Sequence, residues 1–130
     1  MLRIILPLTM LLMAACRDDE TVAAYGAAEI EWRLIEIDTR PFTATATLHF
    51  SEQGRIAGAT PCNSYNATMD APYPWFEIQQ LSQTRMACNE SALESQFLQA
   101  LQEMTLSEVS AGTMILSNVD GREMVFKAAE

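Results

Sequence analysis

From Ile30 onward, apolar and polar positions alternate in short stretches separated by turn residues. Ile30, Trp32 and Leu34 alternate with Glu31, Arg33 and Ile35, the period-two pattern of a strand with one buried face. Trp32 is therefore expected to anchor a core. Thr43 to Phe50 is rich in β-branched and aromatic residues, and Arg55-Ile56-Ala57-Gly58 forms its return strand. Between them Ser51-Glu52-Gln53-Gly54 reads as a turn in which Gly54 supplies the positive φ. Further strands are expected from Tyr65 to Met69 and from Trp75 to Leu81, where Phe76 and Ile78 alternate. The intervening Ala71-Pro72-Tyr73-Pro74 is excluded from a central strand, because its two prolines lack ladder donors.

One segment departs from this period. From Ser91 to Met104 the apolar residues Leu93, Phe97, Ala100, Leu101 and Met104 recur at spacings of three and four, which builds one face of a helix. Ser91 followed three positions later by Glu94 forms a capping-box pattern. Ser95, Gln96, Gln99, Gln102 and Glu103 supply a face suited to water. Three more strands are expected at Leu106–Ser110, Thr113–Ser117 and Glu123–Lys127, joined by Ala111-Gly112 and by a turn ending in Asp120-Gly121, a strong hairpin signal. The predicted fold class is α+β: a curved, mostly antiparallel sheet approaching a small barrel, with one packed helix.

The chain ahead of this body has a different character. Met1-Leu2-Arg3 is a short basic start, and Ile4 to Ala15 is apolar apart from Thr9 and Pro7. That run is too short to span a bilayer, which takes about 20 residues, and its charge and small terminal residues match a secretory signal peptide. Ala14-Ala15 before Cys16 resembles the bacterial lipobox, with Met13 where Leu is usual. Residues 1–15 are thus expected to be removed and Cys16 to become an acylated N-terminus. Multiple acyl chains hold a protein stably where one is marginal. Residues 16–29 are expected to form the lipidated Cys and a flexible tether, and residues 30–130 the folded domain. The 13 residues Arg17 to Glu29 have no sustained period and could reach about 45 Å when extended. Arg17, rather than Asp, follows Cys16, which by enteric sorting rules favours the outer membrane over the inner.

Spending Cys16 on lipid leaves Cys62 and Cys88 of the three cysteines. Export would place these two in an oxidising compartment, where a disulfide is expected. Two cysteines and one histidine do not complete the usual four zinc ligands, so no metal is expected. A catalytic cysteine would need a base, and His49 is expected on the water-facing side of its strand. The sequence has no Gly-rich phosphate loop, no Gly-x-Ser-x-Gly elbow and no His-Glu-x-x-His helix, so neither catalysis nor a cofactor is expected. The net charge of −9 becomes −10 once Arg3 leaves with the first segment. That acidity excludes binding of the nucleic-acid backbone, which needs Lys and Arg, and electrostatic docking on anionic lipid.

The body resembles the META domain, the family that includes the HslJ-like heat-shock lipoproteins. The resemblance rests on Trp32-Arg33-Leu34, on Gly54-Arg55-Ile56-Ala57-Gly58 leading to Cys62-Asn63-Ser64-Tyr65, and on Gln83-Thr84-Arg85-Met86-Ala87-Cys88. Glu94-Ser95-Gln96-Phe97 with Ala100-Leu101, and Asp120-Gly121-Arg122 before the last strand, complete it. It covers about Glu31 to Ala128. Pro61 stands where the family usually has Gly. The resemblance implies a curved antiparallel sheet with one helix and an envelope setting linked to stress response, secretion or motility. It brings no established catalytic residues.

Structural roles are expected for the signature residues. Asn63 suits a turn, Tyr65 a buried ring with its hydroxyl bonded at the rim, and Thr84 and Arg85 would fix an irregular loop through its carbonyls. Asn63, Tyr65, Arg85 and Trp75 are also the candidate residues for binding a ligand or partner. The expected function is that of a monomeric, lipid-anchored, periplasm-facing envelope module that binds an unidentified envelope protein or protects the envelope. A pilotin-like role follows from the family's similarity in fold to a lipoprotein that chaperones a secretin tail. The groove for it would lie between helix and sheet, with Tyr73, Trp75 and Phe76 at its lip. The alternative is a carrier of a small hydrophobic ligand or lipid, although a barrel this small is usually filled by its own side chains.

Overall fold

The computed structural model describes residues 18–129. The expected signal segment and Cys16 lie outside the described residues.

The central strand is β1 (Trp32–Ile37), whose Trp32 and Leu34 face inward as their alternation predicts. A bulge between Leu34 and Glu36 then shifts the inward position to Ile37, since one extra residue reverses the period-two pattern. Asp38 and Thr39, at φ 50° and 67°, turn the chain into the two-residue β2 (Arg40–Pro41), a hairpin the hydrophobic pattern does not signal. β3 (Thr47–Glu52) and β4 (Arg55–Ala59) follow, turning at Gly54 with φ 78° as expected. β3 begins four residues later than predicted. Phe42 N–H donates to Ile35 O and Leu34 N–H to Ala46 O, so residues 43–46 pass beside β1 without regular pairing.

β5 (Ser64–Thr68), β6 (Gln79–Gln83), helix α1 (Ser91–Glu103), β7 (Leu106–Ser110), β8 (Thr113–Ser117) and β9 (Glu123–Ala128) complete the order. All strand pairs are antiparallel. The sheet runs β6-β5-β4-β3-β1-β9-β8-β7, with β2 attached to β1. It curls into a half-barrel, and the segment ahead of β6 reaches across to its β7 edge. Trp75 bridges to Leu106, Phe76 N–H donates to Thr105 O at 2.9 Å and Ser107 N–H to Pro74 O at 2.7 Å. The strand expected from Trp75 to Leu81 is divided for this reason. Residues 74–76 pair with the start of β7, and β6 begins only at Gln79, next to Gln80 at φ 52°.

Helix α1 spans the remaining opening. Phe97, Ala100 and Leu101 are fully buried, and the Phe97 ring meets Tyr65 edge-on at 5.6 Å and Phe42 at 6.4 Å. Trp32, Leu48, Ile56, Met114, Leu116 and Phe126 fill the space from the sheet. The fold is thus α+β with a curved sheet, as the pattern predicts.

The stretch read as tether differs from expectation. A 3-10 helix, η1 (Val22–Tyr25), ends at Gly26 in the left-handed region. Val22 and Ala27 are fully buried, and the Trp32 indole N–H donates to Ala27 O at 3.0 Å. Glu20 O accepts from Tyr73 N–H at 2.7 Å. Burying Trp requires a partner for its indole N–H, and this segment supplies it. The packed body therefore starts at Glu20 rather than at Ile30.

Candidate functional site

The signature residues converge where the β4–β5 connection meets the segment entering α1. Thr60, Cys62 and Asn63 come from the first, and Thr84 to Cys88 from the second. Thr60 N–H donates to Asn63 O at 2.8 Å and Asn63 N–H to Thr60 Oγ1 at 2.7 Å, which closes a turn around Pro61 and Cys62. No hydrogen bond of this turn requires the N–H that Pro61 lacks. A disulfide joins Cys62 to Cys88 with Cα atoms 5.7 Å apart, as expected from the cysteine count.

The Asn63 side chain is engaged at both ends. Its Oδ1 accepts from Met86 N–H at 2.6 Å and from Thr84 Oγ1 at 2.9 Å. Its Nδ2 donates to Met86 O at 3.0 Å and to the Glu94 carboxylate at 2.9 and 3.2 Å. Thr60 Oγ1 also donates to Glu94 Oε1. Ser64 and Thr84 exchange two further bonds. Asn63 thus staples an irregular loop to both a strand and a helix, because an amide has a donor and an acceptor end where a carboxylate has only acceptors. Glu94 is the residue whose role sequence reasoning missed. The capping-box reading aims it at its own helix terminus, yet the N-cap is Glu90 and no side chain caps it. The sole signal is that Asn63 and Glu94 lie in two separate motifs of the same family pattern.

Replacing Asn63 with Asp is expected to cost about 2 kcal/mol at neutral pH, because it sets a carboxylate against Glu94 and Met86 O in place of a donor. Protonating the introduced Asp restores a donor at that position. The penalty should therefore shrink as pH falls through the carboxylate range, which urea unfolding at pH 7 and pH 4 would reveal.

The other candidate residues divide. Tyr65 belongs to the core: its ring is buried and its hydroxyl donates to Thr47 O at 2.7 Å, deeper than the rim position expected. It is therefore not available to a ligand. Burial pushes the hydroxyl well above the ordinary phenol range near 10.0. The folded form keeps its proton where the unfolded form loses it, so Tyr65 contributes full stability below pH 10 and less as pH rises further. Tyr65→Phe is expected to lower stability by about 1 kcal/mol, read as a lower urea midpoint at unchanged slope.

Arg85 is exposed beside Asn63, Met86 and Glu94 over a shallow depression of about 250 Å³. Among the described residues it makes no side-chain hydrogen bond, so Thr84 alone fixes the loop where both residues were expected to. His49 is exposed on β3, as the alternation predicts. Among the described residues no group of three His, Cys, Asp or Glu side chains is placed to hold a metal, and no helix is long and apolar enough to cross a membrane.

Trp75 lies apart from this cluster. It is 58% exposed and stands on an open groove of about 880 Å³ beside the C-terminal half of α1. Phe76, Ile78, Gln102 and Met104 share that groove. Tyr73, expected at the lip, instead stacks on Tyr25 with ring centroids 4.5 Å apart.

Arg122 secures the far end of the helix. Its guanidinium pairs with Glu103 at 2.5 Å and Asp38 at 3.1 Å, linking α1 to the β1–β2 turn. The Glu123 amide, with Arg122 beside it, holds the Asp38 carboxyl below the usual carboxylate range. The Asp120-Gly121-Arg122 motif therefore has a structural account as well.

A curled antiparallel sheet closed by one helix, with a disulfide and an Asn-centred staple at the helix entrance, defines the class of domain. Residues 26–130 match the META domain family, and the chain belongs to it. A protein from Burkholderia xenovorans solved by NMR shares the fold, with a TM-score of 0.66 at 21% identity, over 89% of this chain and 93% of its own. A duf4847 family protein from Bacteroides vulgatus has a TM-score of 0.64 at 12% identity, over 81% of this chain and 96% of its own. No curated protein matches in sequence.

Proposed function

We propose that this chain is a lipid-anchored, non-catalytic envelope protein that binds a segment of another envelope protein in the groove beside α1. The observation that carries the reading is an open groove of mixed lining, with Asp70, Glu77 and Gln102 beside its apolar residues and a tryptophan exposed in it, on a domain with a closely buried core. Phe76, Ile78 and Met104 line it, and Trp75 stands exposed at its edge. Exposed aromatic side chains at an apolar cleft are the usual anchors of protein interfaces. The alternative, a carrier of a small hydrophobic ligand, needs interior room. Trp32, Phe97, Leu101, Met114 and Phe126 occupy that space with essentially no exposure, which favours a surface partner. The signature residues Asn63, Thr84 and Glu94 spend their polar atoms on one another, which supports a scaffold role over catalysis. The lipobox-like end at Cys16 supports the anchor.

A photo-crosslinking residue introduced in cells tests this. At Gln102, exposed in the groove, it should give one discrete protein adduct in the envelope fraction. At Val119, 90% exposed on the β8–β9 turn, it should give none. Equal adducts at both positions, or co-purified lipid without an adduct, would contradict protein binding.

A further inference from the structure

The short reach between Cys16 and the packed body constrains how an anchored domain sits. Glu20 O is already bound to Tyr73 N–H, so only four Cα-to-Cα steps separate the acylation position from the fold. Fully extended they cover about 14 Å, against about 45 Å for a tether running to Glu29. The headgroup layer is itself roughly 5–8 Å deep on each side. The domain is therefore held against the bilayer by whichever surface adjoins Glu20.

That surface is aromatic. Pro72 to Trp75 forms a turn closed by Trp75 N–H donating to Pro72 O at 2.8 Å, and the same turn receives the Glu20 carbonyl through Tyr73. Tyr73 stacks on Tyr25 of η1, which is still 59% exposed, and Trp75 is 58% exposed. Tyr and Trp concentrate at membrane–water boundaries, where an apolar ring and a polar edge are both satisfied. Asp18, Asp19, Glu20 and Asp70 line a depression beside Pro72. These carboxylates oppose anionic headgroups and suit the outward ammonium of a zwitterionic one.

We infer that Tyr25, Tyr73 and Trp75 form an edge that rests on a zwitterionic bilayer surface, so that the domain lies docked rather than suspended. The inference rests on acylation of Cys16. The groove beside Trp75 then opens at headgroup level, where a partner segment reaches it along the membrane.

Tryptophan fluorescence tests this directly, because Trp32 is fully buried and Trp75 is exposed. The full acylated chain, its acyl mass verified, is reconstituted into phosphatidylethanolamine–phosphatidylcholine vesicles containing lipid brominated near the headgroup. The expected result is protection from acrylamide and quenching by the brominated lipid. The lipid quenching should be lost in Trp75→Phe, whose remaining Trp32 is buried with or without vesicles, and both effects should weaken when phosphatidylglycerol replaces half of the lipid. An acylated, vesicle-bound chain whose Trp75 stays open to acrylamide and unquenched by lipid overturns the docking and leaves the anchor standing. A chain from envelopes that carries no acyl mass overturns the anchor, and the docking with it.

Discussion

Gly58→Ala is expected to destabilise the domain by at least about 3 kcal/mol, enough to leave little folded protein at 37 °C. A Cβ at Gly58 would overlap Thr47 O outright, lie 2.7 Å from that carbonyl carbon and 3.0 Å from Tyr65 Cε1. Gly58 faces Tyr65 across the β4–β5 pair, and the Tyr65 hydroxyl reaches past it to the same carbonyl. Ala59 N–H also donates to Thr47 Oγ1 at 2.9 Å. The obstacle is thus backbone on one side and a buried ring on the other, and neither can rotate away. Gly121→Ala provides the control. Gly121 sits at φ 85° with nothing within 4 Å of a new Cβ, so only conformational strain of about 1–2 kcal/mol applies. Urea denaturation of the two variants should separate them clearly. Equal costs would mean that β3 and β4 do not approach as described.

Replacing Cys62 and Cys88 together with Ser is expected to cost about 3 kcal/mol, the entropy released to the unfolded chain when a 26-residue link is opened. The unfolded state should also expand, so the denaturant slope should rise along with the lower midpoint. In the folded state the Asn63 staple spans the same two segments, with Met86 N–H and O on one side and Glu94 on the other. Native-like structure should therefore persist at low denaturant. A midpoint unchanged within error would show that the disulfide adds nothing to the staple.

The elements legible in the sequence are those whose partners lie close in the chain or whose period is unmistakable. Helix α1 and strands β7, β8 and β9 fall within about a residue of expectation, because periodicity and turn residues determine them locally. The misreadings share a different cause. Glu94 looks like a cap for its own helix until Thr60 and Asn63, more than 30 positions away, are folded beside it. Residues 20–29 look like a linker because only two of their apolar residues, Val22 and Ala27, are fully buried, too few to form a period. Their reason for order is the Trp32 indole N–H and the Tyr73 ring, both beyond the segment. Arg85, a signature residue and binding candidate alongside Asn63, is the exposed member of the pair. Trp75, singled out as a groove residue, lies on one, which it shares with Gln102 of α1 and with Met104 and Thr105 just after that helix.

These placements bear on what the family pattern means in this chain. Gly58, Asn63, Thr84, Glu94 and Arg122 are each engaged in holding the sheet, the loop or the helix. In the proposed function, recognition is then left to surfaces outside the pattern, the groove and the aromatic edge.

The proposed function depends most on acylation of Cys16, which would set both the compartment and the orientation of the groove. Intact-mass measurement of the chain isolated from bacterial envelopes tests it in one step. The account predicts a mature chain beginning at Cys16 and carrying diacylglycerol plus amide-linked acyl mass, all of it lost in Cys16→Ser. A chain retaining residues 1–15, or one beginning near Cys16 with no added mass, would contradict it.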